Sequence, residues 1–396
     1  LLHGHWRIMG ETAIPLFPAT GAPEPDAAAD VHARRPTGIL PSQSIARLID
    51  ERAIDALVPI APDQVQPASL DLRLGKVAYR VRASFLPGPA ASVMDKVRAL
   101  GMHEIDLTNG AVLERGCVYI VPLLEHVRLG YRESAFANPK SSTGRLDVFT
   151  RLITDRGTAF DRVPSLYTGP LYLEVAPRTF SIMVRTGSKL NQLRLRYGSP
   201  PTSAAQLGKL HEQFHLVDAE PGKVNIRHDS IGVTLDLVGD AHGLIGYRAK
   251  KHSDVVDMDR RAVYDPLDYW DPIHRRKGEG VVLNPDDFYI LASKEAVKVP
   301  DDHAAEMVAY DTLSGEFRVH YAGFFDPGFG MSRPSKAVLE VRSHDVPFML
   351  EHEQIVGWLR YERLIAPPER VYGQAGSGSN YQGQGLMLAK QFRPVA

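Results

Sequence analysis

Val112-Leu113-Glu114 followed by Val118-Tyr119-Ile120-Val121 comes back later in the chain as Val282-Leu283-Asn284 followed by Phe288-Tyr289-Ile290-Leu291. Two further pairs keep the same order: Leu70-Asp71-Leu72 returns as Leu235-Asp236-Leu237, and Leu173-Glu174-Val175 as Leu339-Glu340-Val341. The offsets are 165, 170 and 166 residues. A nearly constant offset over three motifs is what a duplicated unit leaves behind. Each unit is made of short β-branched and aromatic runs, such as Ser69-Leu70-Asp71-Leu72-Arg73-Leu74, Cys117-Val118-Tyr119-Ile120-Val121 and Leu171-Tyr172-Leu173-Glu174-Val175. The 33 glycines and 29 prolines mark turns between such runs, the pattern of an all-β sandwich or barrel.

Helices are few. Ser42 or Ser44 is placed to cap a short one carrying Ile45, Leu48, Ile49 and Ile54, and a second spans about 202–216, behind Pro200-Pro201. The expected organisation is a flexible N-terminal arm at 1–36, a first β-domain at 37–198, a linker with a short helix at 199–222, a second β-domain at 223–366 and a C-terminal lid at 367–396. Part of the arm is expected to lie upstream of the natural start, since the first methionine is Met9.

Composition narrows the function classes. Apolar residues make up 44% of the 396 and charged residues 23%, an ordinary globular mixture that excludes a wholly disordered chain. Lys+Arg is 46 against Asp+Glu 47, a formal net charge of -1, so no global basic field points to nucleic acid or an anionic membrane. Cys117 is the single cysteine and reads as a buried strand thiol. One cysteine allows no intrachain disulfide, and the zinc-deaminase signature, which needs paired cysteines, is absent. No apolar run is long enough to span a membrane and no secretory signal is visible, so the expected compartment is the cytoplasm.

Four places carry side chains suited to chemistry. Asn138-Pro139-Lys140-Ser141-Ser142-Thr143-Gly144-Arg145 gathers three hydroxyls, two cations and a glycine, a set able to cradle phosphate or merely to form a solvated turn. Ala322-Gly323-Phe324-Phe325-Asp326-Pro327-Gly328-Phe329-Gly330 reads as a strand entering a tight hairpin, with an aromatic at its tip and a carboxylate fit for a ribose hydroxyl; a plain β-turn has the same signature. Glu174 and Glu340 sit mid-strand between apolar neighbours, on the opposite face from them; each either faces solvent or lines a cleft with a raised pKa. The Gly/Ser-rich stretch at 372–385, with Tyr372, Asn380, Tyr381 and Gln384, is either a floppy terminus or a lid.

In this order the pieces resemble the dCTP deaminase branch of the dUTPase-like superfamily, over most of the chain from about residue 36. Lys140-Ser141-Ser142-Thr143-Gly144-Arg145 is similar to the family's Arg-Ser-Ser-x-x-Arg motif, with Lys in place of the first Arg. Gly187-Ser188-Lys189-Leu190-Asn191-Gln192-Leu193 is similar to its Gly-x-x-Ile-x-Gln-Leu strand. Residues 322–330 look like its nucleoside hairpin, Val338-Leu339-Glu340 its glutamate strand and 372–384 its lid. The resemblance implies a mainly β fold of two tandem dUTPase-like β-barrel (β-clip) domains. It implies hydrolytic deamination of dCTP to dUTP and ammonia, towards dTTP supply, by a carboxylate base without zinc. It places Lys140, Ser142, Thr143 and Gly144 at the phosphates, Ser141 and Arg145 at the reacting water, Asp326, Phe329 and Val338 at the nucleoside, and Tyr372, Asn380 and Gln384 in the lid. Asn380 stands where the family's tail offers a lysine.

Partners and metal follow from the same resemblance. Mg²⁺ is expected only through the substrate triphosphate. The 15 histidines are scattered, and pairs such as His344 and His352 read as structural or surface residues, so no protein-held metal is expected. dTTP is a candidate feedback inhibitor. Neither nucleic acid nor membrane is an expected partner, and the fused pair is either a self-contained pseudo-oligomer or the unit of a homo-oligomer. A bifunctional enzyme continuing to dUMP and a non-catalytic nucleotide-binding regulator are the alternatives.

The two halves are unequally equipped. Tyr310-Asp311-Thr312-Leu313-Ser314-Gly315-Glu316 replaces the cationic cluster in the second half, and Phe160-Asp161-Arg162-Val163-Pro164-Ser165-Leu166-Tyr167-Thr168-Gly169 is an enlarged hairpin in the first. Because family sites form between copies, one composite site is expected: phosphate cluster from the first half, hairpin and glutamate from the second, lid from the tail. Glu340 is the first choice as base and Glu174 the second, the latter expected as a structural partner of a cation such as Arg178.

Overall fold

The apolar run Val118–Arg128 buries side chains on both faces, and it forms an 11-residue strand in the middle of a sheet rather than at an edge. This is a computed structural model, and it describes residues 36–198, 202–220, 222–276, 278, 280–309, 317–319, 323–343, 345–374 and 380–394. Most of the arm, Pro200-Pro201, residues 310–316, Ala322, His344 and 375–379 of the tail lie outside them.

Strand order makes the duplication explicit. One sheet of the first half runs Gly101–Asp106, Val77–Val81, Val118–Arg128, Thr168–Pro177, Val148–Thr154; in the second half the order is Trp270–His274, Leu244–Ala249, Phe288–Val297, Ser335–Ser343, Phe317–Val319. The other sheet places Asn191–Tyr197, Glu133–Pro139 and Arg162–Val163 side by side, matched by Ile355–Arg363, His303–Ala309 and Phe324–Phe325. Register repeats as well. Leu173 pairs with Val121 and Glu174 with Ile120, while Leu339 pairs with Leu291 and Glu340 with Ile290. Since a one-residue slip would turn every side chain to the other face, equal register puts Glu174 and Glu340 at equivalent points of equivalent barrels. The fold is mainly β with short helices, as its alternating runs and turns require.

Three local expectations need correction. The first helix is Ser42–Asp50 with Pro41, not Ser42 or Ser44, at the cap position; the Ser42 N–H is satisfied by the Pro67 carbonyl at 3.0 Å, so no side-chain cap is needed, and Ile54 belongs to the following strand. Cys117 is half-buried in the turn ahead of Val118, not inside the strand. A helix at Val93–Leu100 was not foreseen, although Ser92 and Asp95 form the reciprocal capping box that announces one. The helix between the halves is Ala204–Phe214, capped by Ser203 with Gln206, and its buried Leu207 packs into the core of the second half.

One apolar cluster joins the halves. Leu40, Val121, Leu173 and Leu193 of the first half share it with Trp270, Phe288 and Val338 of the second and with Leu388 and Phe392 of the tail. A second cluster fills the barrel around Leu291, Leu339 and Leu359. The shared core fixes the two barrels against each other, and the cleft described next lies in that seam. No helix among the described residues is long and apolar enough to cross a membrane.

Candidate active site

Strand Glu133–Pro139 ends at a proline, and the chain turns through a single helical turn, Ser141–Gly144. Its anchor is Leu190: the Leu190 carbonyl accepts from the Lys140 N–H at 3.0 Å and from Thr143 Oγ1 at 2.8 Å. Thr143 is therefore spent on the backbone and does not face the cleft. Lys140, Ser141, Ser142, Gly144 and Arg145 do. Lys140 is paired with the buried carboxylate of Asp71, and the Ser142 hydroxyl meets the Tyr381 hydroxyl.

Arg145 is held on three sides. Nη2 donates to Gln384 Oε1 at 2.8 Å, Nη1 donates to the Met387 carbonyl at 3.0 Å, and the guanidinium lies 3.8 Å from the Tyr381 ring centroid. Its Nε is buried and has no hydrogen-bond partner among the described residues. That Nε stands 3.9 Å from Glu340 Oε1, too far for a direct hydrogen bond and a span that one water or a substrate atom bridges.

Glu340 reaches this point from strand Ser335–Ser343, whose two faces are both buried. Burial pushes its carboxyl up to about 8, against the pull of Arg145 and of a backbone hydrogen bond. The sequence leaves open whether desolvation or Arg145 prevails; desolvation does. Two residues on, Arg342 donates to Asp147 (Nε to Oδ2, 3.0 Å) and to Thr179 Oγ1 at 2.7 Å, tying the Glu340 strand to the segment just beyond Arg145.

The hairpin closes the other wall. Gly330 has φ +72° and a Cβ there would collide with the Val297 carbonyl, so only glycine completes the turn. Asp326 is buried, and burial raises its carboxyl above the ordinary range while Arg194 opposes the rise. Arg194 comes from the first half: it donates to Asp326 Oδ1 and to the Ala305 carbonyl, each at 3.2 Å, and stacks 3.9 Å from the Phe324 ring. Phe329 is not an exposed tip but a buried ring, edge-on to Phe325 at 5.1 Å and tilted against Tyr372 at 5.6 Å.

The described part of the tail lies across the cleft. The Tyr372 hydroxyl accepts from the Tyr381 N–H at 3.0 Å, the Ser335 hydroxyl accepts from the Gly383 N–H at 2.8 Å, and Gln384 Nε2 donates to the Lys336 carbonyl at 2.9 Å. Tyr372, Asn380, Tyr381 and Gln384 thus line the same cleft as Asp326, Phe329, Val338 and Glu340. Tyr381 and Gln192, which the sequence places in the tail stretch and the strand motif without a role, also line it, as does Gln66, for which the sequence gives no signal.

Glu174 is elsewhere. Its Oε1 accepts from Arg151 Nε at 2.9 Å and Nη2 at 2.6 Å, and Arg151 stacks 3.6 Å from the Phe160 ring. The cation is Arg151 rather than Arg178, because Arg151 lies directly opposite Glu174 on the neighbouring strand while Arg178 lies beyond the strand's end. Asp161, the aspartate of the first-half hairpin, accepts from the Leu152 N–H at 2.7 Å, and burial pushes it up to about 7. Arg151, with Phe160 stacked on it, thus lies against Glu174, where Arg145 stands near Glu340. No group of three metal-ligating side chains occurs among the described residues.

The family description "2'-deoxycytidine 5'-triphosphate deaminase (DCD) N-terminal domain" matches residues 36–199, and its C-terminal counterpart matches 203–392. Among curated proteins, a Beutenbergia cavernae protein named "dCTP deaminase, dUMP-forming" is 32% identical over 162 residues, 38% of this chain and 82% of that one. A Nocardia farcinica protein of the same name is 33% identical over 137 residues, 33% of this chain and 67% of that one. A crystal structure of 2'-deoxycytidine 5'-triphosphate deaminase from Agrobacterium tumefaciens superposes with a TM-score of 0.80 at 55% identity, over 85% of this chain and all of the other. With both domain descriptions matched in tandem and the whole of a solved relative superposed, the chain belongs to the dCTP deaminase family, in a form with two fused domains.

Proposed function

We propose that this chain deaminates dCTP hydrolytically to dUTP and ammonia, with Glu340 as the general base. The observation that carries this reading is the 3.9 Å gap between the buried Glu340 carboxyl and the unpartnered Arg145 Nε, inside a cleft walled by hydroxyls, cations and an aromatic hairpin. A water placed there gives its proton to the ionised Glu340 as its oxygen attacks C4 of cytosine. The carboxyl passes that proton to N3, then takes the remaining proton from the C4 hydroxyl as the carbonyl forms and delivers it to the departing amine, so that dCTP and water leave as dUTP and ammonia. General acid–base catalysis of this kind contributes about 10²–10⁴-fold. Arg145 Nε and the Ser141 hydroxyl hold the water and stabilise the charge that develops on it. Asp326 takes the sugar hydroxyl, Val338 and Phe329 bound the nucleoside, and Lys140, Ser142, Gly144 and Asn380 face the phosphates. Mg²⁺ enters with the triphosphate, since the carboxylate beside the cations, Asp71, is already engaged by Lys140.

A second reading, favoured by the "dUMP-forming" names of the curated relatives, adds hydrolysis of the triphosphate, giving dUMP and pyrophosphate. Incubation with dCTP and Mg²⁺, followed by resolution of dUTP, dUMP, ammonia and pyrophosphate, decides between them. Ammonia with dUTP supports the first, ammonia with equimolar dUMP and pyrophosphate the second. Tight dCTP binding without ammonia would leave only a nucleotide-binding regulator.

A further inference from the structure

The two halves meet at a cavity distinct from the catalytic cleft, of about 1490 Å³ with its open mouth included. Strands Asn191–Tyr197 and Ile355–Arg363 are equivalents in the repeat, so Arg194 corresponds to Arg360 and Arg196 to Glu362. All four line this cavity, and Arg196 faces its own counterpart Glu362 at 3.7 Å. Residues that meet their own repeat equivalents must lie near the axis relating the repeats. The cavity is therefore a feature of the fusion and not of either barrel alone.

Its walls carry four guanidinium groups, Arg162, Arg194, Arg196 and Arg360, against three carboxylates, Asp229, Glu306 and Glu362, of which Asp229 is paired with Arg360 at 3.1 Å. Arg196 is largely buried, its Nε has no acceptor among the described residues, and 3.7 Å to Glu362 is too long for a hydrogen bond. Arg162 has no ion pair among the described residues, and it and Arg196 lie over one ring, Phe136, at 5.2 and 4.0 Å from its centroid. Arg194 is buried with its Nε likewise without an acceptor. Buried guanidinium donors are ordinarily satisfied, and the two Nε–H groups of Arg194 and Arg196 left without an acceptor beside one cavity mark the place of an absent one.

We propose that this cavity is a second anion site, which takes a phosphate-bearing small molecule between Arg162, Arg194 and Arg196. Planar forked donors suit phosphate oxygens, and three of them around one space suit more than one phosphate. Arg194 also holds Asp326, and Phe324 lines both this cavity and the cleft, so an occupant adjoins the nucleoside wall without entering the catalytic cleft.

Calorimetric titration of the full chain with inorganic tripolyphosphate tests the assignment. Two equivalents should bind, one in each place. The double variant Arg162→Gln/Arg196→Gln should lose one equivalent, with affinity there at least tenfold weaker, and keep its dCTP turnover. Lys140→Ala should lose the other equivalent and keep this one. Arg162→Gln alone, at an exposed residue, serves should the double variant fold poorly, and should weaken the same equivalent several-fold. Displacement of tripolyphosphate from the Lys140→Ala protein by GTP would name nucleotide phosphates as the source; resistance to GTP would name inorganic oligophosphate. A single equivalent in the parent that Lys140→Ala abolishes, or unchanged titrations of both arginine variants, overturns the proposal. Turnover is read separately, so failure here leaves the deaminase reading standing.

Discussion

A glutamate sealed against water and set beside an arginine that is otherwise occupied is poised to exchange a proton near neutral pH. Glu340 in the free protein sits at about 8. At pH 7 roughly a tenth of the molecules then carry the ionised base. Since the base must be ionised to accept the proton of water, kcat/KM for dCTP should rise about tenfold per unit below that value and level off above it. A profile flat from pH 6 to 9 would remove Glu340 from the base role. Glu340→Gln keeps shape and hydrogen bonding but cannot take the proton, so kcat should fall by about 10²–10⁴-fold while dCTP affinity stays within a few-fold. Glu174→Gln should do the reverse: turnover near that of the parent, with a lower melting temperature because Arg151 loses its charge partner. Loss of turnover in Glu174→Gln alone would move the site to the first half.

At the scale of elements, the tail decides how firmly Arg145 is aimed. Gln384→Ala removes the acceptor of Arg145 Nη2, and a buried donor left unsatisfied costs about 1–3 kcal/mol. In rate this is roughly 5- to 150-fold, expected mainly in kcat because Arg145 faces the reacting centre. Tyr381→Phe keeps the ring over Arg145 and loses the hydroxyl's contact with Ser142 and its acceptance of the Lys390 N–H at 3.2 Å, so its effect should be within about tenfold and fall on KM. Steady-state kinetics of both variants, read as separate kcat and KM effects, check the pair. What was legible in the sequence follows the same physics. Period-two strands and their repeat were visible because Leu-Asp-Leu and Leu-Glu-Val preserve face and register over 165 and 166 residues. The cleft's cations, hairpin and glutamate were visible because each is a compact local motif. The Arg151 partner of Glu174, the Arg194 grip on Asp326 and the Tyr381 stack were not, because each joins residues that only the pairing of strands or halves brings together. The helix at Val93–Leu100 was missed although its capping box was local and readable.

For the whole molecule, a cleft assembled from two barrels and a tail buries acidic groups that neither barrel would bury alone, and stability should record it. Glu340 at about 8 and Asp326, also raised, each hold a proton in the folded chain at a pH where the unfolded chain has released it, and Asp161 at about 7 does the same inside the first half. A carboxyl with its folded pKa above its unfolded one adds stability that is complete below the unfolded value and is lost as pH rises through the folded value. For Glu340 the window runs from 4.5 to about 8, which corresponds to at most about 5 kcal/mol. His211 acts oppositely, since burial lowers its pKa and the stability it contributes grows as pH rises from its folded value and is complete above its unfolded one. The slope of the parent alone therefore mixes signs, and the difference between parent and Glu340→Gln isolates the one group. Chemical unfolding at pH 5 should find the two proteins within about 1 kcal/mol, because both then carry a neutral side chain at 340. At pH 8.5 the Gln variant should be the more stable by about 2–5 kcal/mol, since the parent must by then either ionise a buried carboxyl or pay to keep it protonated. The same variant that loses turnover should thus gain stability, and only on the alkaline side. A pH-independent difference between the two would mean that Glu340 is solvated in the folded chain, and with it the closed cleft on which the base role depends would fail.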